Sequence, residues 1–156
     1  QNFGYTKTGN RSGRANSLIT KYAYFVTDFN FPIYDSLVKE VYPYLSNKRF
    51  EDNTFKDFVF QITYLLGESE IDSYDELDML LWLMGKIHRG NYSLVLSQDR
   101  YLLLLKKIKD LDKVESKEVG SKIKEFIYYN IDELSDVFSE EQMEMIKFTH
   151  NKIMVK

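Results

Sequence analysis

Apolar residues recur along most of this chain at intervals of three and four, the spacing that lines one face of an α-helix. From about Arg14 to Val26, the stripe Leu18, Ile19, Tyr22, Phe25 and Val26 predicts an amphipathic helix with one buried face, and Ser12, Asn16 or Ser17 is available to cap its start. Asp35 or Ser36 suits the N-cap of a second helix, whose buried face is Leu37, Val38, Val41, Tyr42 and Leu45, and which Pro43 is expected to end or kink. Phe55, Phe58, Val59, Ile62, Leu65 and Leu66 mark a third, stopped at Gly67. Its segment FVFQITY is rich in β-branched and aromatic residues, so there a strand competes with the helix.

Ser73 with Glu76 forms a capping-box signature ahead of Leu77, Leu80, Leu81, Met84 and Ile87, and Gly90-Asn91 breaks that pattern. Further helices are expected over Gln98–Leu111, around Val119, Ile123, Phe126, Ile127 and Ile131, and from a second capping box, Ser139 with Gln142, through Met143, Ile146 and Ile153. Trp82 reads as a core anchor among apolar neighbours. Tyr22, Tyr42, Tyr64 and Tyr101 occupy apolar helical positions and read as core. His88 and His150 lie near helix ends without a metal-binding spacing, which suits capping or surface roles.

The expected architecture is an all-α, irregular or orthogonal bundle of about seven helices in one domain. A length of 156 residues, 44% of them hydrophobic and 15% aromatic, is enough for one sizeable core. Residues 1–13 hold three of the seven glycines with no apolar period, so they read as a loop, more like the interior of a longer protein than a native start. No apolar run approaches the roughly 18 residues that would span a bilayer. The expectation is therefore no membrane association and a cytoplasmic setting. The chain has no cysteine, which excludes disulfides, thiol nucleophiles and thiolate-held zinc or iron–sulfur sites; no metal and no cofactor is expected.

A net charge of −3 argues mildly against a general nucleic-acid binder, but the charge is unevenly distributed. Lys7, Arg11, Arg14 and Lys21 precede Thr27 without any acidic residue, whereas Glu68, Glu70, Asp72, Asp75, Glu76 and Asp78 cluster in mid-chain. The basic end is where an anion would dock.

Between residues 13 and 36 the order is Gly13-Arg14-Ala15, a helix, a short link, then Ile33-Tyr34-Asp35-Ser36 opening another helix. This order resembles the second half of the helix-hairpin-helix motif and the following catalytic aspartate segment of the helix-hairpin-helix DNA glycosylase superfamily. With the later stretch Leu77-Asp78-Met79-Leu80-Leu81-Trp82-Leu83-Met84-Gly85-Lys86, it looks like a poorly characterised bacterial branch of that superfamily, and the resemblance covers roughly residues 11–90. It implies a glycosylase-like core over 14–90, preceded by the basic leader 1–13 and followed by C-terminal helices over 91–156.

The resemblance implies that Asp35 carries the chemistry, its carboxylate stabilising the oxocarbenium-like transition state of N-glycosidic cleavage or helping water attack. It assigns DNA contacts, on a duplex, to Arg11, Ser12, Gly13, Arg14, Asn16 and Lys21, with backbone N–H groups at the helix start holding a phosphate. Lyase-competent members carry a lysine at the start of the hairpin's second helix. Here that position matches Ala15, so the implied activity is monofunctional. No first hairpin helix is visible in residues 1–10. A plain N-cap role accounts equally for Asp35, and the alternative function is a non-catalytic interaction module contacting a protein partner through the acidic 68–78 stretch and the C-terminal helices.

Overall fold

The computed structural model describes residues 16–51 and 54–154. Among them are seven α-helices and no strand: α1 (Asn16–Val26), α2 (Ser36–Ser46), α3 (Phe55–Gly67), α4 (Tyr74–His88), α5 (Gln98–Lys107), α6 (Val119–Asn130) and α7 (Glu140–Met154). Short 3-10 turns occupy Tyr92–Leu94, Leu111–Lys113 and Ile131–Glu133. The all-α expectation is met, and the ambiguous FVFQITY segment is helical within α3. No described helix is long and apolar enough to cross a membrane.

Local chemistry starts these helices. Thr54 and Asp57 form a reciprocal capping box on α3: the Asp57 N–H donates to Thr54 Oγ1 (3.1 Å) and the Thr54 N–H to Asp57 Oδ2 (2.8 Å). The expected box at α7 forms likewise between Ser139 and Gln142, at 3.3 Å and 3.0 Å. At α4, the Glu76 N–H donates to Ser73 Oγ (3.2 Å). Pro43 neither ends nor breaks α2, which continues to Ser46 and closes on Asn47 in a left-handed conformation (φ 55°). Asn tolerates that region better than most residues, so the terminator is the residue after the helix.

The chain divides into two compact units, one running through Leu81 and the other starting at Trp82, with the division inside α4. In the first, Leu37, Val38, Val41 and Tyr42 of α2, Phe58, Ile62 and Leu65 of α3, and Leu77 and Leu81 of α4 are buried. Aromatic rings knit this unit together: Phe58 meets Tyr34 edge-on at 5.0 Å between centroids, and Tyr42 meets Phe50 at 5.3 Å. Helix α1 departs from expectation. Its stripe is not buried: Leu18, Tyr22, Phe25 and Val26 are 60–69% exposed and Ile19 50%, while the fully buried residue of this helix is Thr20.

The second unit has a core of Ile87, Tyr92, Leu96, Leu104, Ile108, Ile123, Ile127, Ile131, Leu134, Val137, Phe138 and Ile146. Gly90 (φ 71°) ends α4, where the Asn91 N–H donates to the Lys86 carbonyl at 2.9 Å. A Cβ at Gly90 would lie 2.1 Å from the carbonyl oxygen of Gly120 in α6, so both the backbone conformation and the close approach require glycine.

Four side-chain expectations are corrected; one is Tyr64 of α3, read as core but 38% exposed, with the Lys48 ammonium 3.9 Å from its ring centroid. Trp82 is 40% exposed, with the Lys86 ammonium 5.2 Å from its ring centroid, because it lies on the opposite side of α4 from Leu81 and Met84, which are buried. Tyr22 is exposed with the rest of its stripe. His150, expected at the surface or as a cap, is only 7% exposed, since α7 turns this position inward beside the fully buried Thr149.

Candidate functional site

Asp35 sits at the junction of an extended link and α2. Its backbone is extended (φ −127°, ψ 154°), and its Oδ1 accepts hydrogen bonds from the Leu37 N–H (2.8 Å) and Ser36 Oγ (3.2 Å). It is therefore the N-cap of α2, satisfying a backbone donor that the helix leaves unpaired. Helix α1 fixes the approach. Buried Thr20 accepts the Tyr34 N–H at 2.9 Å and donates to the Ser17 carbonyl at 3.2 Å, which holds the residue before Asp35 against α1.

Between α1 and this anchor the chain reverses through Asp28 (φ 53°) and Phe29 (φ 64°), both in the left-handed region, where a bulky aromatic residue is unusual. Phe29 is retained there by its N–H bond to the Tyr24 carbonyl (2.7 Å) and by ring contacts with Tyr24 at 4.9 Å and Phe25 at 6.0 Å. Strain at this turn is thus offset by an aromatic trio on the exposed side of α1.

Helix α4 brings acidic residues to the same site. Asp75 and Asp78, three apart and so neighbours on one helix face, belong to the first unit with Asp35 and Lys21. The Tyr24 hydroxyl donates to the Asp75 carboxylate, and this bond, with burial and the charges of Asp75 and Asp78, raises the Tyr24 pKa to about 12. Asp78 is pushed up to about 6, first by burial and then by the negative charges of Asp35 and Asp75; the Lys21 ammonium pulls weakly the other way. The Asp35 charge thus reaches a second carboxyl group that keeps its proton into the mildly acidic range. A carboxylate and a protonatable carboxyl in one site are the elements of general acid–base chemistry.

Of the residues assigned DNA contacts, Arg11, Ser12, Gly13 and Arg14 lie outside the described residues, as does the side chain of Asn16, the first residue of α1. Lys21 is exposed on α1 and acts on Asp78 through its charge. Sequence reasoning missed Tyr24 and Thr20, and read Asp75 and Asp78 only as part of an acidic stretch for a protein partner. Asp78 carried a weak signal: it stands inside the otherwise apolar stretch LDMLLWLMG. Thr20 carried none, since threonine at one helix position looks like surface. Among the described residues no group of three His, Asp or Glu side chains is placed to hold a metal ion.

Comparison with protein-family models, with curated proteins and with solved structures gives no match for this chain.

Proposed function

We propose that this chain is a DNA-glycosylase-like domain that binds duplex DNA and hydrolyses the N-glycosidic bond of a modified base without lyase activity. The observation that carries the reading is that Asp35, held by the α2 N-terminus, and Asp78 lie close enough to couple: the Asp78 pKa is raised to about 6 first by burial and then by the Asp35 charge. Breaking the bond from C1′ to the base leaves positive charge on the sugar and negative charge on the base. In the proposed step, the Asp35 carboxylate faces the sugar and takes a proton from the attacking water. The departing base nitrogen takes a proton from Asp78. The base must first leave the stack.

The test uses the full chain with a panel of duplexes bearing modified bases, scoring abasic sites. Asp35→Asn keeps a good capping side chain but removes the base, so cleavage is expected to fall on the order of a hundredfold or more. Cleavage indifferent to Asp35→Asn removes Asp35 from the mechanism. No cleavage on any duplex, with no salt-sensitive DNA binding, leaves the second reading.

That second reading is a helical protein-interaction module. It is favoured by the exposed stripe of α1, where Leu18, Ile19, Tyr22, Phe25 and Val26 are each at least 50% exposed. Contiguous apolar surface of this kind is the usual mark of a protein contact. A Phe25→Glu variant that folds normally, cleaves duplex as well as the parent and loses no partner would remove this reading.

A further inference from the structure

The second unit holds a cavity of about 130 Å³ bounded by the C-terminal end of α4, by α6 and by the last turns of α7. Its walls are mostly apolar: the rings of Tyr128 and Tyr129 and the side chain of Ile153. A cavity of about 150 Å³ accommodates a benzene ring in an engineered protein core, so this space takes one ring or a short branched chain, with room at its open side for a substituent. Neither Asp35 nor any other residue of the proposed acid–base site belongs to it.

His88, Ser121, Lys124, Glu125 and His150 bring polar groups to the border of this space, and Lys124 and His150 set its chemistry. His150 is 7% exposed, its ring packs edge-on against Tyr128 at 5.3 Å, and its Nε2 is buried without a hydrogen-bond partner. A buried imidazole nitrogen left unpaired costs free energy that a ligand atom can recover. Lys124 lies on α6 and spends one ammonium proton on the His88 carbonyl at 3.1 Å; among the described residues it makes no salt bridge. The His150 pKa is lowered, first by burial and then by the Lys124 charge, so the ring is neutral at pH 7. The site is therefore an apolar slot bordered by a positive charge and an unused imidazole nitrogen. Glu125 also borders it but is exposed, as expected of a carboxylate that water solvates outside the slot.

We infer that this cavity is a binding site for a small monocarboxylate with a single-ring or similarly compact apolar tail, its carboxylate between Lys124 Nζ and His150 Nε2 and its tail against Tyr128, Tyr129 and Ile153. A carboxylate supplies what both polar groups lack: an acceptor for an Nε2–H and a counter-ion for the ammonium. A neutral molecule of the same shape supplies only the first. The function of the first unit does not enter the argument.

The experiment titrates the full chain with benzoate and with benzyl alcohol, its neutral counterpart, following the His150 ring signals by NMR and the affinity by calorimetry. Saturable benzoate binding with a shift at the His150 ring is expected, tighter than benzyl alcohol by about tenfold, the worth of one charge-assisted hydrogen bond. Lys124→Gln should bring benzoate down to the level of benzyl alcohol. Ile153→Trp, which fills the slot from its half-buried rim, should abolish both. Equal affinity for the two probes, benzoate binding that survives Ile153→Trp, or binding that leaves the His150 ring unchanged overturns the assignment, as does no binding at all.

Discussion

Helices α1 and α6 carry the same kind of apolar stripe and meet opposite fates. In α6, Ile123 and Ile127 are 1% and 0% exposed within a core shared with α5 and α7 residues, whereas in α1 Phe25 and Val26 are 67% and 60% exposed. The buried residue of α1 is Thr20, whose hydroxyl is used twice, toward Ser17 and Tyr34. An amphipathic period thus establishes that a helix forms and has a face to cover. It does not say that the face is covered. In α1 a polar anchor positions the helix beside Asp35, and the apolar stripe is left at the surface.

Aromatic truncation separates the two regions most sharply. Phe138 is 1% exposed and meets Tyr92 edge-on at 6.0 Å, so Phe138→Ala should destabilise the chain by about 4 kcal/mol. Tyr22→Ala in α1, 68% exposed and outside the aromatic trio of the turn, should change stability by no more than about 0.5 kcal/mol. Denaturant melts of the two variants check the contrast, and a large loss from Tyr22→Ala would show that the α1 stripe is covered in solution.

Gly90→Ala probes backbone tolerance in the second unit, where the added Cβ meets Gly120 at 2.1 Å. A loss of about 3 kcal/mol is expected from strain and overpacking together. Near-neutral behaviour in the same melts would mean that α4 and α6 separate easily at this crossing.

At the candidate site, Asp35→Ala removes the cap and should cost about 1 kcal/mol, while Asp35→Asn should be almost neutral because Asn caps as well as Asp. The two variants distinguish the structural role of Asp35 from a chemical one: if Asp35→Asn melts like the parent yet loses activity, the carboxylate matters for more than the cap. Equal destabilisation by both would mean that its charge stabilises the fold.

A pH slope gives the last contrast. Asp78 has a folded pKa of about 6 against an ordinary 3.8, so between those values the folded chain binds more protons than the unfolded one. Stability from this group is full at low pH and is lost as pH rises toward 6. Asp78→Asn should remove that slope and leave the variant at least as stable as the parent at pH 7, measured as the midpoint of thermal melts from pH 4 to pH 7. A slope unchanged in Asp78→Asn would assign it to another group.

The readable parts of the fold were the local ones. Caps at Asp35, Ser73 and Ser139, the stop at Gly67 and the break at Gly90 act over short range, through hydrogen bonds between groups two to five residues apart. Asp35 was legible as a candidate because its segment has a recognisable order. Its neighbours were not. Asp78 comes within range of the Asp35 charge only once the first unit has folded, and no local pattern encodes that pairing. Trp82 and His150 were misread for a related reason: a residue's position on a helix is set by its sequence number, but which side of the helix faces the core is set by neighbours far away in the chain.

By itself, then, the sequence determined an all-α chain, the approximate span of each helix and the cap that makes Asp35 stand out, because helix period and capping are short-range physics. Tertiary structure alone decided that the α1 stripe lies exposed, that Asp78 stands within reach of the Asp35 charge, and that His150 turns inward beside a cavity. Burial and electrostatic coupling depend on distances between residues remote in sequence, and those distances exist only once the helices have packed.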